Sequence, residues 1–400
     1  MKKTKISLLE FESEAIAQHN SGITTITFFR GSLVDVAPII LEKFNELIRS
    51  NPWLAGKLER KNKKERLELW YSEDVSEELS SKLFHLNPQG VSVNSKMSYA
   101  ELGIAADSCI LPNAKKTVNR DKPLTSLTLI ADSLEPESAF AMIFSLSHNI
   151  ADGHTYYSIL NMLSKDAPME SLNVTRKNEA TPKMIGAVGE KEYKYFKGVA
   201  HFINIFRGII FGKKIQAFAF YIDELKIDEI KSQEKKKIEY VSTNDILSSS
   251  FANLVNARVS MMAINYRGKL SGLEEKDAGN YEGIVMHDKD NYKDAASVRA
   301  SLKGGSPYIG LRKPLPSFIE GIFCQMSLIT NWASFSKEII IDNCEEILHL
   351  PLGRASGMMP YEIAIIFRAK KERHGIIYFT KKLQASNFNS EVVPIKEILF

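Results

Sequence analysis

Apolar residues along this chain either alternate with polar ones, run without a break, or recur three and four apart. Ile23-Thr-Thr-Ile-Thr-Phe-Phe29 alternates like a half-buried strand. Val36, Ile40, Phe44, Leu47 and Ile48 then share one helical face, with Asp35 and Pro38 near its start and Asn51-Pro52 at its end. Trp53–Leu58 leads into an extended segment, and Leu67–Tyr71 reads as its hairpin partner. Pro123–Ile130 alternates again, whereas Phe140–Leu146 is almost continuously apolar, as expected of a strand covered on both faces. Residues 73–120 follow neither period.

After about residue 165 the chain turns polar and lysine-rich up to about 195, with Pro168 and Pro182, and reads as a crossover between two halves. The second half has strand patterns at Phe218–Ile222, Met261–Tyr266, Gln325–Thr330, Glu362–Arg368 and Gly375–Lys381. Between them Ile246–Val255 has helical spacing, and Ser242, Thr243 or Asn244 can cap it. Strands alternating with helices in both halves predict an α/β class with mixed sheets. The expected division is a lobe over 1–170, a crossover over 171–214 and a second lobe over 215–400.

Composition narrows this only slightly. A 44% hydrophobic and 25% charged chain of 400 residues is globular, and 52 basic against 48 acidic residues give a net charge of +4. With no zinc-finger spacing, RNA-binding signature or basic arm, nucleic acid is not expected as a partner. Cys109, Cys324 and Cys344 are far apart and without metal-ligand spacing, so a reduced, cytoplasmic setting and no metal are expected. Met1-Lys-Lys is followed by no apolar stretch of signal-peptide length. Gly198–Gly212 is the most apolar internal stretch. It is too short to span a bilayer and reads as a buried or half-buried helix. The alternative is a helix lying on a membrane surface, because Lys213, Lys214 and upstream lysines flank it.

The chemistry is concentrated where the Phe140–Leu146 strand ends. His148 follows it, and Asp152-Gly153 comes four residues later, before a helical pattern over His154–Leu163. An imidazole held at a rigid strand end suits proton transfer near neutral pH. A hydrogen-bonded, inert core histidine is the competing reading of so short a motif. His154 could join His148 and Asp152 at a metal, but no further ligand spacing supports that.

Several segments together resemble the superfamily of CoA-dependent acyltransferases with the chloramphenicol acetyltransferase fold, which includes the BAHD acyltransferases and the condensation domains of peptide synthetases. His148-Asn-Ile-Ala-Asp-Gly153 matches its H-x-x-x-D-G. Arg30–Asp35, Asn51–Leu58, Val241–Leu247, Ala263–Leu270, Ala278-Gly-Asn280 and Ile329–Trp332 match in the family's order, over nearly the whole chain. Two departures stand out. Ser147 occupies the place of the second histidine of condensation domains, and Ile341-Asp-Asn-Cys-Glu345 lacks the Trp and Gly of the BAHD D-F-G-W-G stretch.

The resemblance implies two chloramphenicol acetyltransferase-like lobes with a tunnel between them. It implies a monomeric acyltransferase with acyl-CoA as co-substrate, no tightly bound cofactor and a small alcohol or amine as acceptor. His148 would be the general base, with no covalent acyl-enzyme. Asp152 would pair with Arg267 as a structural salt bridge, and Gly153 would take a turn conformation closed to residues with a Cβ. Thr330, Asn331 and Trp332 would lie near the reacting thioester, and Ser242 and Thr243 near the pantetheine arm or nearby phosphates. The alternatives are a stand-alone condensation-type enzyme fed by a carrier protein, and a non-catalytic binding protein on the same fold.

Overall fold

Strand Ala139–Leu146 is buried at every residue because it lies inside a five-stranded sheet. Ile23–Arg30 runs antiparallel to it on one side and Thr125–Ala131 on the other. The computed structural model describes residues 3–14, 17–211, 213–303, 308, 311, 313–353, 361–389 and 393–398. Helix Leu33–Ser50 covers the sheet with Val36, Ile40, Phe44, Leu47 and Ile48, and Ser32 caps it by accepting from the Asp35 N–H. Phe84–Leu86 closes one edge of the sheet in parallel. The other edge is Glu345–Pro351, which comes from late in the chain and pairs antiparallel with Ile23–Arg30.

The second sheet has seven strands, in the order Glu282–His287, Val259–Asn265, Met326–Asn331, Glu362–Lys370, Arg373–Thr380, Gln216–Ile222, Ile395–Ile398. Met326–Asn331 is parallel to both of its neighbours, and the other pairings are antiparallel. A small sheet of Lys3–Ser7, Glu68–Ser72 and Lys57–Glu59 completes the set. The architecture is therefore two mixed-sheet lobes. Glu282–His287 and Glu345–Pro351 had no clear period in the sequence; each is only partly covered, and its pattern follows its neighbours.

Three strand ends aim at one region. Ala139–Leu146 leads to His148, Val259–Asn265 to Arg267, and Met326–Asn331 to Trp332. Between the lobes in sequence, the lysine-rich segment forms helices Thr181–Val188, Glu190–Phe196 and Val199–Phe211. The last falls on the half-buried side of the expected buried or half-buried helix. Only Ala200, His201 and Asn204 are buried, and most of its large apolar side chains are exposed. Gly212, at the end of that stretch, and Met1-Lys2 lie outside the described residues. No helix among the described residues is long and apolar enough to cross a membrane.

His287 ends strand Glu282–His287 fully buried, bonded through Nε2 to the Ser301 hydroxyl at 2.8 Å. Burial pushes its pKa down to about 4, against a smaller opposing pull from Asp288. Because the unfolded chain takes up this proton near 6.5 and the folded chain only near 4, stability falls as pH drops through that window. We expect His287→Gln to flatten the loss of urea midpoint between pH 6.5 and 4. An unchanged slope would show that other groups set the acid sensitivity.

Candidate active site

After Leu146 the chain turns sharply. Ser147 donates its N–H to the Leu124 carbonyl at 2.8 Å, and the Ile150 N–H donates back to Ser147 at 3.1 Å. This turn leaves the His148 side chain 28% exposed, so the ring is neither sealed in the core nor loose in solvent. Asn280 holds it from the second lobe. Its Nδ2 donates to the His148 carbonyl at 3.0 Å and to Glu12 Oε1 at 3.0 Å, which turns its Oδ1 toward His148 Nδ1, 3.1 Å away. An amide oxygen only accepts, so in the neutral ring Nδ1 carries the hydrogen and Nε2 the lone pair.

The amide is oriented by Glu12, whose buried carboxylate accepts four N–H bonds. Oε1 takes the Asn280 backbone N–H (2.9 Å) and Nδ2; Oε2 takes the Leu9 N–H (2.8 Å) and Arg176 Nε (2.9 Å). Arg176 is equally buried and also donates to the carbonyls of Val174, Ala278 and Ile150. Gly279 passes over this guanidinium at φ +138, and a Cβ there would press on it. That position requires glycine.

Asp152 does not orient His148. It caps helix Gly153–Asn161 by accepting from the Thr155 N–H at 2.9 Å, and it accepts from the Tyr281 N–H at 2.9 Å. Arg267 grips the same carboxylate at two points, Nη1 to Oδ2 at 2.8 Å and Nη2 to Oδ1 at 3.2 Å. Its remaining N–H groups donate to Asp277, Asn265, Thr155 and Gly279. Both side chains are at most 2% exposed. Burial alone would push the Asp152 carboxyl up, but the Arg267 charge and the hydrogen bonds outweigh it and hold the group below the usual carboxylate range.

Gly153 differs from expectation. It is the first residue of its helix, its φ is not in the left-handed region, and a Cβ would make ordinary contact with Trp332 at 3.5 Å. Since Asp152 already makes the turn as the cap, Gly153 has only to lie against the indole. Trp332 is thus brought from the second lobe onto the motif, edge-on to Tyr157 as well. Its indole N–H has no protein partner among the described residues. Thr330 and Asn331 precede it at the strand end, half-buried, with Asn331 Oδ1 accepting from the Ala333 N–H. Ser242 caps helix Thr243–Leu254 in a reciprocal box with Asp245 and accepts from Arg299 Nη2 at 2.9 Å. Thr243 opens that helix, half-buried. His154 bonds Glu275 through Nε2 at 2.7 Å.

A mostly apolar cavity of about 370 Å³ reaches His148 and Asn280. Met184, Ile185 and Val188 wall it from the crossover, and Met286, Leu328 and Tyr361 from the second sheet. Tyr266 crosses it to donate its hydroxyl to the Met184 carbonyl at 2.9 Å, and a Cβ on Gly283 would overlap that phenol. Glu282 places Oε1 4.0 Å from His148 Nε2, and burial pushes its carboxyl up against the opposing pull of His148. Glu12, Arg176 and Glu282 carried no signal in the sequence. Each is a charged residue with no motif around it, Glu12 being flanked by Glu10 and Glu14 and Arg176 by Lys177, and only the fold brings them to His148.

No protein-family model matches the chain, and no curated protein matches it. Solved structures do. Polyketide synthase associated protein 5 from Mycobacterium tuberculosis aligns with a TM-score of 0.61 over 98% of this chain and 96% of its own, at 13% identity. F. graminearum TRI101, solved with coenzyme A and T-2 mycotoxin, gives 0.59 over 95% of each chain at 14% identity. The first condensation domain of the CDA synthetase gives 0.60 over 98% and 93% at 9% identity. The chain shares the fold of these three proteins over nearly its whole length. At such identities the likeness establishes fold alone.

Removing one partner of a buried ion pair leaves an uncompensated charge. Asp152→Ala is therefore expected to lower stability by ~3–5 kcal/mol in urea unfolding. The double variant Asp152→Leu with Arg267→Met should recover part of that. A normally stable Asp152→Ala protein with only a displaced pH–rate profile would assign Asp152 to proton transfer instead.

Proposed function

We propose that the protein is an acyltransferase that moves an acyl group from acyl-CoA to a hydroxyl or amine acceptor, with His148 as general base. The observation that carries this is the state of the imidazole. Its Nδ1 faces the Asn280 amide oxygen at 3.1 Å, so in the neutral ring the hydrogen belongs on Nδ1 and the Nε2 lone pair is left at the cavity. A core histidine satisfied on both nitrogens would have no such capacity.

In this reading Nε2 takes the acceptor's proton as the acceptor oxygen or nitrogen attacks the thioester carbonyl. The tetrahedral oxyanion collapses and the C–S bond breaks. The departing CoA thiolate then takes the proton from the imidazolium, giving CoA thiol and an ester or amide. No protein nucleophile is needed, so the rate rests on positioning donor and acceptor and on proton transfer. The unpartnered indole N–H of Trp332 and the Thr330 hydroxyl are the candidate oxyanion donors, with Asn331 beside them. Ser242 and Thr243 are the candidate pantetheine contacts. Glu282 stands where an ionised carboxylate would stabilise the transient imidazolium.

Thiol release from a panel of acyl-CoAs with pooled alcohols and amines tests the reading. His148→Ala is expected to lose ~10²–10⁴-fold in kcat, and product formed equally well by that variant would remove His148 as base. A carrier-bound acyl group turned over in preference to every acyl-CoA would favour the condensation-type alternative. Glu282→Gln takes a negative charge from beside the imidazolium. The acid limb of its kcat/KM profile is expected to move to lower pH, and an unmoved limb would exclude Glu282 from the proton-transfer step.

A further inference from the structure

Helix Val199–Phe211 is built inside out. Its polar side chains face the protein: Asn204 Nδ2 donates to the Gly321 and Cys324 carbonyls at 2.8 and 2.9 Å, Arg207 Nε to the Ile322 carbonyl at 3.2 Å, and His201 bonds Tyr361. Most of its large apolar side chains face water. Val199, Phe202, Ile203, Phe206 and Ile210 form a stripe spaced three and four apart, with Phe206 64% exposed and Phe211 81%. The neighbouring helix Phe318–Phe323 extends the patch with Phe318, Ile319 and Phe323, each more than half exposed. Contiguous exposed apolar surface of this kind marks an interaction site rather than a solvated face.

Charge selects the occupant. From Tyr193 to Ile222 the chain carries Lys194, Lys197, Arg207, Lys213 and Lys214 and no acidic residue. Lys213 and Lys214 are exposed directly beyond the helix, and Lys194 is exposed before it. A Phe- and Ile-rich stripe about 20 Å long, flanked by cations, matches the interfacial zone of a bilayer. The rings enter the acyl boundary while the ammonium groups stay among the headgroups. Lys194 and Lys197 pair with Glu190 and Glu14, and Glu320 of the second helix pairs with Arg258, so the cationic surface rests on Lys213 and Lys214, which a purely apolar protein groove would not require.

We infer that this face docks the protein on an anionic lipid bilayer through helices Val199–Phe211 and Phe318–Phe323. Phe196, Lys197 and Tyr361, beside the docked helix, also line the cavity that reaches His148. Docking therefore brings that wall of the cavity near the lipid. The inference does not require acyl transfer, because vesicle binding is measured without substrate.

The test is flotation of the full chain with phosphatidylcholine vesicles, alone and with about a third phosphatidylserine. Binding is expected on the mixed vesicles only and should weaken as salt rises. Phe206→Ser with Ile210→Ser, and separately Lys213→Glu with Lys214→Glu, should each reduce it by about tenfold or more while circular dichroism and the melting midpoint stay unchanged. Absent binding by the unsubstituted chain, equal binding to uncharged vesicles, or full binding by both variants would overturn the inference. A concentration-dependent dimer lost in Phe206→Ser with Ile210→Ser, with no vesicle binding, would also overturn it by assigning the face to a second copy.

Discussion

The arginine that closes the second lobe onto the first is the constraint from which the rest of the site follows. Arg267 stands just beyond a strand of the seven-stranded sheet, and Asp152 stands just beyond a strand of the five-stranded sheet. Neither charge is tolerable in a dry interior alone. Their two-point contact, with every other guanidinium N–H donating to a protein oxygen, makes the pair stable only when both lobes are in register. The Tyr281 N–H on the same carboxylate and the Gly279 carbonyl on the same guanidinium carry that register to Asn280. Asn280 in turn holds the histidine.

A second buried pair works beside the first. Glu12 and Arg176 come from segments far apart in sequence, yet between them they fix the flip of the Asn280 amide and thereby the tautomer of His148. The division of labour is physical. Fully paired charges are placed where rigidity is wanted, and an imidazole with one ring nitrogen uncommitted is left facing the cavity. Asp152, which adjoins the histidine in sequence, belongs to the rigid set.

The crossover has two faces with different duties. Toward the second sheet its helices wall the cavity, and Tyr266 is tied to Met184 across the glycine at 283. Away from it, the helix that carries most of the exposed phenylalanine among the described residues turns its polar groups inward. Apolar content alone left that stretch as a buried or half-buried helix, or one on a membrane surface. It is half-buried because Asn204 and Arg207 find backbone carbonyls on a neighbouring helix, and once they are satisfied inside, the apolar stripe has only the outside left.

Local pattern determined much by itself. The strand that ends at His148, the helix Leu33–Ser50, the hairpin partner at Leu67–Tyr71 and the cap ahead of Ile246 all follow from periodicity and end signals within a few residues, since burial and capping there are local. The His148–Gly153 motif and its ordered companions also pointed to the fold and to the histidine. What only the tertiary structure decided are the pairings between distant segments: the late strand Glu345–Pro351 in the first sheet, the Glu12–Arg176 pair behind Asn280, Glu282 beside Nε2, and the helical start at Gly153. A lone charged residue has no period, and an edge strand takes its register from its neighbour. Such features become determinate only when the two lobes are brought together.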